Sequence, residues 1–120
     1  MEQRKKYFQD LESSLDPGIE NADSGCVVSD RISVGGYEIG IMYRDFPIPD
    51  TSDSGWVFLA GDEDAVYMNT PGNTSAFPLR IICSYDPAII PFLDSAYETA
   101  FIRQENGEFL KAEHFFDEET

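Results

Sequence analysis

Asp53-Ser54-Gly55-Trp56-Val57-Phe58-Leu59-Ala60-Gly61-Asp62-Glu63-Asp64-Ala65-Val66-Tyr67-Met68 is the stretch that decides how the chain is read. The single tryptophan, Trp56, opens an apolar run that ends at Ala60. Consecutive apolar positions bury both faces of an extended segment, so the run reads as a central strand. Gly61 closes it, and Asp62, Glu63 and Asp64 follow directly. Three acids in a row belong in water, and they suit the first turn of a helix, where the amide ends attract negative charge. A core strand is thereby tied to an acidic surface corner.

Upstream, Tyr37 to Arg44 alternates. Tyr37, Ile39, Ile41 and Tyr43 fall on one side; Glu38, Gly40, Met42 and Arg44 fall on the other. That period of two predicts a strand with the first set better buried. Gly35-Gly36 supplies a turn that tolerates positive φ. Asn21 to Gly25 reads as a loop and Cys26 to Ser29 as a short apolar strand. Phe46-Pro47-Ile48-Pro49 interrupts the ladder, because proline has no amide to donate. A polar loop from Asp50 to Gly55 follows.

Downstream, Asn69 to Ser75 is rich in turn residues and reads as a loop. Leu79, Ile82 and Cys83 have helical spacing, which places a helix start near Pro78. Asp86-Pro87 looks like an N-cap with proline at the first helical position, and Pro91 limits that helix to little more than a turn. Thr99 to Gln104 and Glu108 to Ala112 flank Glu105-Asn106-Gly107, the strongest short hairpin signal in the chain. Near the N-terminus, Tyr7, Phe8, Leu11 and Leu15 recur at helical spacing until Asp16-Pro17-Gly18, so residues 4–15 are expected to form an amphipathic helix. The tail, Asp117 to Thr120, reads as disordered. The expected architecture is one α+β domain over residues 1–120. Its sheet is mainly antiparallel, with the N-terminal helix and short helices packed on it.

The 120 residues carry 23 Asp and Glu against 8 Lys and Arg, a net charge of −15. Nucleic-acid binding needs a basic face, and the balance here argues against it and against anionic lipid. The same charge draws basic partners and speeds their encounter, although it also serves plain solubility. An aromatic content of 13% places the acidity on a folded surface, since disordered acidic chains are poor in aromatics. Cys26 and Cys83 have apolar neighbours and read as buried free thiols, suited to a reducing compartment. No apolar stretch follows Arg4-Lys5-Lys6 as in a secretory signal, and none approaches the ~20 residues of a membrane span. Cytoplasmic residence is the expectation.

The sequence offers little catalytic chemistry. His114 is the single histidine, and its neighbours Phe115 and Phe116 suggest packing. No serine sits in a nucleophile elbow, and no glycine-rich loop precedes a lysine. One histidine and two distant cysteines do not make an ordinary zinc site. Asp50 with Asp53, or Asp62 with Asp64, offer oxygen ligands to a divalent cation, but the order of an EF-hand loop is absent. No catalytic, metal-ligating or cofactor-binding residue is assigned. Trp56 has two readings, a core anchor or an aromatic anchor at an interface, where Trp and Tyr are favoured. Tyr43, Tyr67 and Tyr85 share that ambiguity.

An ordered set of short motifs runs through the chain. Cys26-Val27-Val28-Ser29-Asp30-Arg31-Ile32 comes first, then Gly40-Ile41-Met42-Tyr43-Arg44 and Asp53-Ser54-Gly55-Trp56-Val57-Phe58. Ala60-Gly61-Asp62-Glu63, Tyr67-Met68, Cys83-Ser84-Tyr85-Asp86-Pro87 and Ile89-Ile90-Pro91 complete it. Together they resemble the bacterial Imm33 immunity-protein family, formerly a domain of unknown function, over about residues 25–112. The resemblance implies a small protein of polymorphic toxin systems that binds the toxin domain encoded beside it and protects the producing cell. It brings no catalytic residues with it.

The expectation is therefore a cytoplasmic, non-enzymatic immunity protein that covers a cognate toxin with its acidic surface. Asp62, Glu63 and Asp64 are the expected charge contacts, Tyr67 and Trp56 the aromatic ones, and Asp53 completes the set. A nuclease-type toxin, whose groove is built for phosphate, fits the charge. The alternatives are a small carboxylate-based enzyme or a domain binding a ligand or divalent cation, and a general interaction module unrelated to toxins.

Overall fold

The computed structural model describes residues 22–113 and 115. The helix expected over residues 4–15, His114 and the acidic tail lie outside the described residues. Within them the chain forms a six-stranded sheet with three short α-helices and one 3-10 helix. In order these are β1 (Gly25–Ser29), α1 (Asp30–Ser33), β2 (Ile41–Arg44), β3 (Asp53–Leu59), α2 (Ala65–Met68), β4 (Thr74–Pro78), α3 (Leu79–Tyr85), the 3-10 helix Pro87–Phe92, β5 (Thr99–Arg103) and β6 (Phe109–Lys111).

The strands lie in the order β4-β1-β3-β2-β5-β6. Only the β1–β3 pair is parallel; the other four pairs are antiparallel. The α+β class and the mainly antiparallel sheet are as expected, and β3 is an interior strand, as its apolar run required. One row of side chains shows how the sheet is held. Phe58 on β3 stands opposite Val28 on β1 and Met42 on β2, and Met42 stands opposite Phe101 on β5. All four are buried, and they meet Leu79, Ile82 and Cys83 of α3 and Ile89 of the 3-10 helix in one core. Each such side chain contributes about 1.5–3 kcal/mol by leaving water. Trp56 sits on the same face at 1% exposure. Its ring stacks on Phe58 at 6.1 Å, and its indole N–H donates to the Leu93 carbonyl at 3.2 Å.

Three local expectations are corrected. The alternation over Tyr37 to Arg44 predicted one strand with Ile41 and Tyr43 inward. The strand begins at Ile41, Met42 is fully buried, and Ile41 and Tyr43 are half-buried on the other side. Ile39 is also fully buried, so the inward phase changes across Gly40. Gly40 lies so close to the Ala60 carbonyl that a Cβ there would stand 2.1 Å from its oxygen. Second, Thr74 to Pro78 is an edge strand where no strand was expected. Thr74-Ser75-Ala76 carries no strand signal; backbone pairing to β1 makes the segment a strand. Third, the helix expected to hold little more than a turn runs for two 3-10 turns and ends one residue past Pro91. The segment is a six-residue 3-10 helix with Asp86 accepting from the Ala88 N–H at 3.2 Å.

The hairpin at Asn106-Gly107 forms as expected, with Gly107 at φ 92°. Both cysteines are free and buried. Burial pushes the Cys26 thiol far up and the Cys83 thiol up to about 11, so neither is a thiolate near neutral pH.

Candidate functional site

The acidic corner is assembled at the end of β3, where the chain turns at Gly61 with φ 120°. Glu63 folds back onto that turn. One of its carboxylate oxygens accepts from the Ala60 N–H and the other from the Gly61 N–H, both at 2.8 Å. The buried Ser29 adds a hydrogen bond to the same carboxylate. Ser29 also accepts from the Arg31 N–H at 3.1 Å, capping α1. Glu63 therefore clasps the turn to the start of α1. Burial alone pushes its carboxyl up, but the bonds from Ser29 and the backbone outweigh it and hold the group below the usual value.

That depression has a consequence for acid stability. The clasp contributes fully above pH 4.5, the ordinary value for the side chain, and is lost as pH falls through the lowered value of the folded state. Glu63→Gln is expected to remove this part of the acid limb. Melting temperature followed against pH should then fall less steeply below pH 4.5 than in the wild type.

Asp64 is the N-cap of α2 and accepts from the Tyr67 N–H at 2.8 Å. Asp62 is exposed, and its carboxylate lies 3.0 Å from Arg31 Nε. That N–H is not aligned with the oxygen and makes no hydrogen bond, so the contact is an ion pair only. The Arg31 guanidinium covers the half-buried Tyr67 ring at 4.7 Å and approaches the Tyr37 ring at 6.0 Å. The corner is thus a cation held between two aromatic rings and an exposed carboxylate, with Glu63 and Asp64 fixing the backbone around it.

Residues 26–113 match the family model described as the immunity protein Imm33 domain. The chain belongs to the Imm33 immunity-protein family. No curated protein and no solved structure matches it. Membership implies a cognate toxin as partner and toxin neutralisation as role.

Within this Imm33 domain the six sequence-derived site residues do not form one site. Asp62, Glu63, Asp64 and Tyr67 share the corner. Asp53 and Trp56 belong to the first half of β3, whose seven residues span about 20 Å. Asp53 accepts from the Ile48 N–H at 3.0 Å with one oxygen and from the Gly55 N–H at 3.1 Å with the other. It fixes the loop between β2 and β3. Trp56 lies in the core and presents no surface. Arg31 was not singled out from the sequence, although an arginine in so acidic a chain has many carboxylates competing for it.

Two further features were not anticipated. A cleft of about 490 Å³ is lined by Glu38, Tyr85, Asp86 and Arg103 among others. Its guanidinium is engaged by the protein itself: Nη1 lies 2.9 Å from an Asp86 oxygen and 3.2 Å from the Ile39 carbonyl, and Nε donates to the Gly107 carbonyl at 3.1 Å. The second is at the Asp53 end of β3, where Phe46 and Ile48 are 60% and 63% exposed. Among the described residues, no group of three or more His, Cys, Asp or Glu is placed to hold a metal ion. No helix among them is long and apolar enough to cross a membrane.

Proposed function

We propose that this Imm33 chain neutralises a cognate toxin, encoded beside it, by covering the toxin's surface and without catalysing a reaction. The observation that carries the reading is the family match over residues 26–113. The build of the corner supports it. Glu63 and Asp64 hold the backbone, so Asp62, Asp64 and Tyr67 are presented to a partner in a fixed arrangement that costs little ordering on binding. Asp62 and Asp64 supply charge, Tyr67 an aromatic contact, and Asp53, Glu63 and Trp56 act from behind through the strand and its turns. The net charge of −15 suits a basic target such as a nuclease, met in the cytoplasm.

Co-expression with the toxin encoded next door tests the reading. Relief of toxicity, with one complex on size exclusion, is expected; unchanged toxicity and no complex would overturn it. The charge contacts have a kinetic signature of their own. Asp62→Asn combined with Asp64→Asn is expected to slow association by about threefold to tenfold and to flatten its salt dependence, with dissociation little changed.

A ligand-binding role has the 490 Å³ cleft in its favour. Its central charges face each other, however, and Arg103 is occupied by Asp86, two carbonyls and the Phe109 ring at 4.5 Å. The geometry favours a structural hub there.

A further inference from the structure

At the Asp53 end of β3, two loops carry large apolar side chains into water. Phe46 and Ile48 come from the β2–β3 loop, and Tyr97, 43% exposed, comes from the loop before β5. The Phe46 and Tyr97 rings touch, with centroids 5.4 Å apart. Isolated exposed apolar residues need no explanation, but Phe46 and Tyr97 meet across two loops, and Ile48 stands two residues from Phe46 in a loop whose backbone is hydrogen-bonded in place.

Arg44 does much of the holding. Its Nε donates to the Ser54 carbonyl at 2.9 Å, at the start of β3, and its Nη1 to the Ser95 carbonyl at 2.8 Å, in the loop before β5. Its guanidinium lies 4.6 Å from the Tyr97 ring and 5.8 Å from the Trp56 ring. The Ile48 amide is tied to Asp53 and its carbonyl to the Thr51 hydroxyl at 2.8 Å. Pro47 and Pro49 flank Ile48 and fix the backbone on either side. A preorganised aromatic and aliphatic cluster loses little freedom on binding, which is what distinguishes a hot spot from a merely apolar surface.

The charge around the cluster says what it takes. Residues 45–53 and 93–98 include Asp45, Asp50, Asp53, Asp94 and Glu98, five acids, and no Lys or Arg. Asp45, Asp50, Asp94 and Glu98 are exposed. A second copy of this chain docked here would bring like charges together, and an anionic lipid surface would be repelled. A Lys/Arg-rich protein surface fits: aliphatic stems pack over Phe46, Ile48 and Tyr97 while the charged heads reach the acidic rim.

We infer that the Phe46–Ile48–Tyr97 cluster is the apolar anchor by which this chain grips a basic surface of its toxin. The inference rests on the neutralising role proposed above and adds a second contact, at the opposite end of β3 from the acidic corner. The two contacts divide the kinetics. Charge at the corner sets the association rate; the anchor sets the dissociation rate.

The test uses the full chain and the toxin domain encoded beside it, inactivated by substitution in its own active site, with binding followed in real time. Phe46→Ser, Ile48→Ser and Tyr97→Ser are each expected to raise the dissociation rate about tenfold or more, and the triple variant about 100-fold or more, with association within about threefold of wild type. Because the three side chains are exposed, melting temperatures should stay close to wild type, which separates lost grip from lost fold. Phe46→Leu keeps apolar area and should recover most of the affinity. If wild type binds and the stable triple variant binds equally well, the anchor is refuted and the neutralising role stands. If wild type itself does not bind, the neutralising role fails and the anchor with it. A wild-type dimer that the same substitutions dissolve would assign the face to a second copy and overturn the inference.

Discussion

Trp56→Ala is expected to destabilise the domain by about 3–5 kcal/mol, the range for removing a large aromatic side chain from a packed core. The ring is 1% exposed, stacks on Phe58 and fills the space between β3 and the segment around Leu93. Alanine would leave a void under the row that links four strands, and it would leave the Leu93 carbonyl without its indole donor. For a domain of this size the loss corresponds to a fall in melting temperature of more than about 12 °C. Trp56→Phe fills most of the void but still lacks the indole N–H, so a smaller loss of about 1–2 kcal/mol is expected. Denaturant unfolding followed by far-ultraviolet circular dichroism measures both, since the variants lack the single tryptophan as a probe. A melting temperature unchanged in Trp56→Ala would mean that the ring does not anchor the core.

Arg103→Met is expected to cost about 3 kcal/mol. The side chains of Arg103 and Asp86 are 9% and 17% exposed, so removing the guanidinium leaves a largely buried carboxylate uncompensated. The Ile39 and Gly107 carbonyls lose a donor as well. Asp86 also caps the 3-10 helix, so the damage reaches the segment that supplies Ile89 to the core. The same substitution separates the two readings of the cleft. A structural hub predicts lost stability, partly restored when Asp86→Asn is combined with Arg103→Met, because the orphaned charge is then gone. A ligand-binding arginine predicts near-normal stability. Thermal melts of the two single variants and the double variant form the cycle that decides between them.

How much of this was legible in the sequence follows from where each signal resides. β3 was visible as an interior strand because five consecutive apolar residues favour burial, although only the Trp56 and Phe58 face is fully buried and Val57 and Leu59 are half-buried. The Asn106-Gly107 hairpin was visible because its turn chemistry is local. β4 was not, because Thr74-Ser75-Ala76 has no pattern of its own and is a strand through its bonds to β1. The inward face of β2 was misjudged because the contact that changes its phase, Gly40 against Ala60, joins residues far apart in sequence. Asp64 could be placed at a helix start, since capping is a short-range interaction. The bond from Ser29 to Glu63 and the cradle of Arg31 between Tyr37, Asp62 and Tyr67 could not, because both are fixed by the meeting of α1 with the end of β3. For the same reason Phe46-Pro47-Ile48-Pro49 reads in sequence only as a break in the ladder. Its ties to Asp53 and the meeting of Phe46 with Tyr97 turn it into a surface.

Neutralisation by covering has a stoichiometry. The most direct measurement is a titration of the neighbouring toxin's activity with this chain, at toxin concentrations well above the dissociation constant. Activity should fall linearly to zero at one equivalent, without time dependence, and the toxin released by denaturation should have its original mass. Inactivation by a small fraction of an equivalent, progressing with time and leaving a toxin of altered mass, would contradict the claim that no bond is made or broken, and activity untouched at any ratio would remove the role altogether.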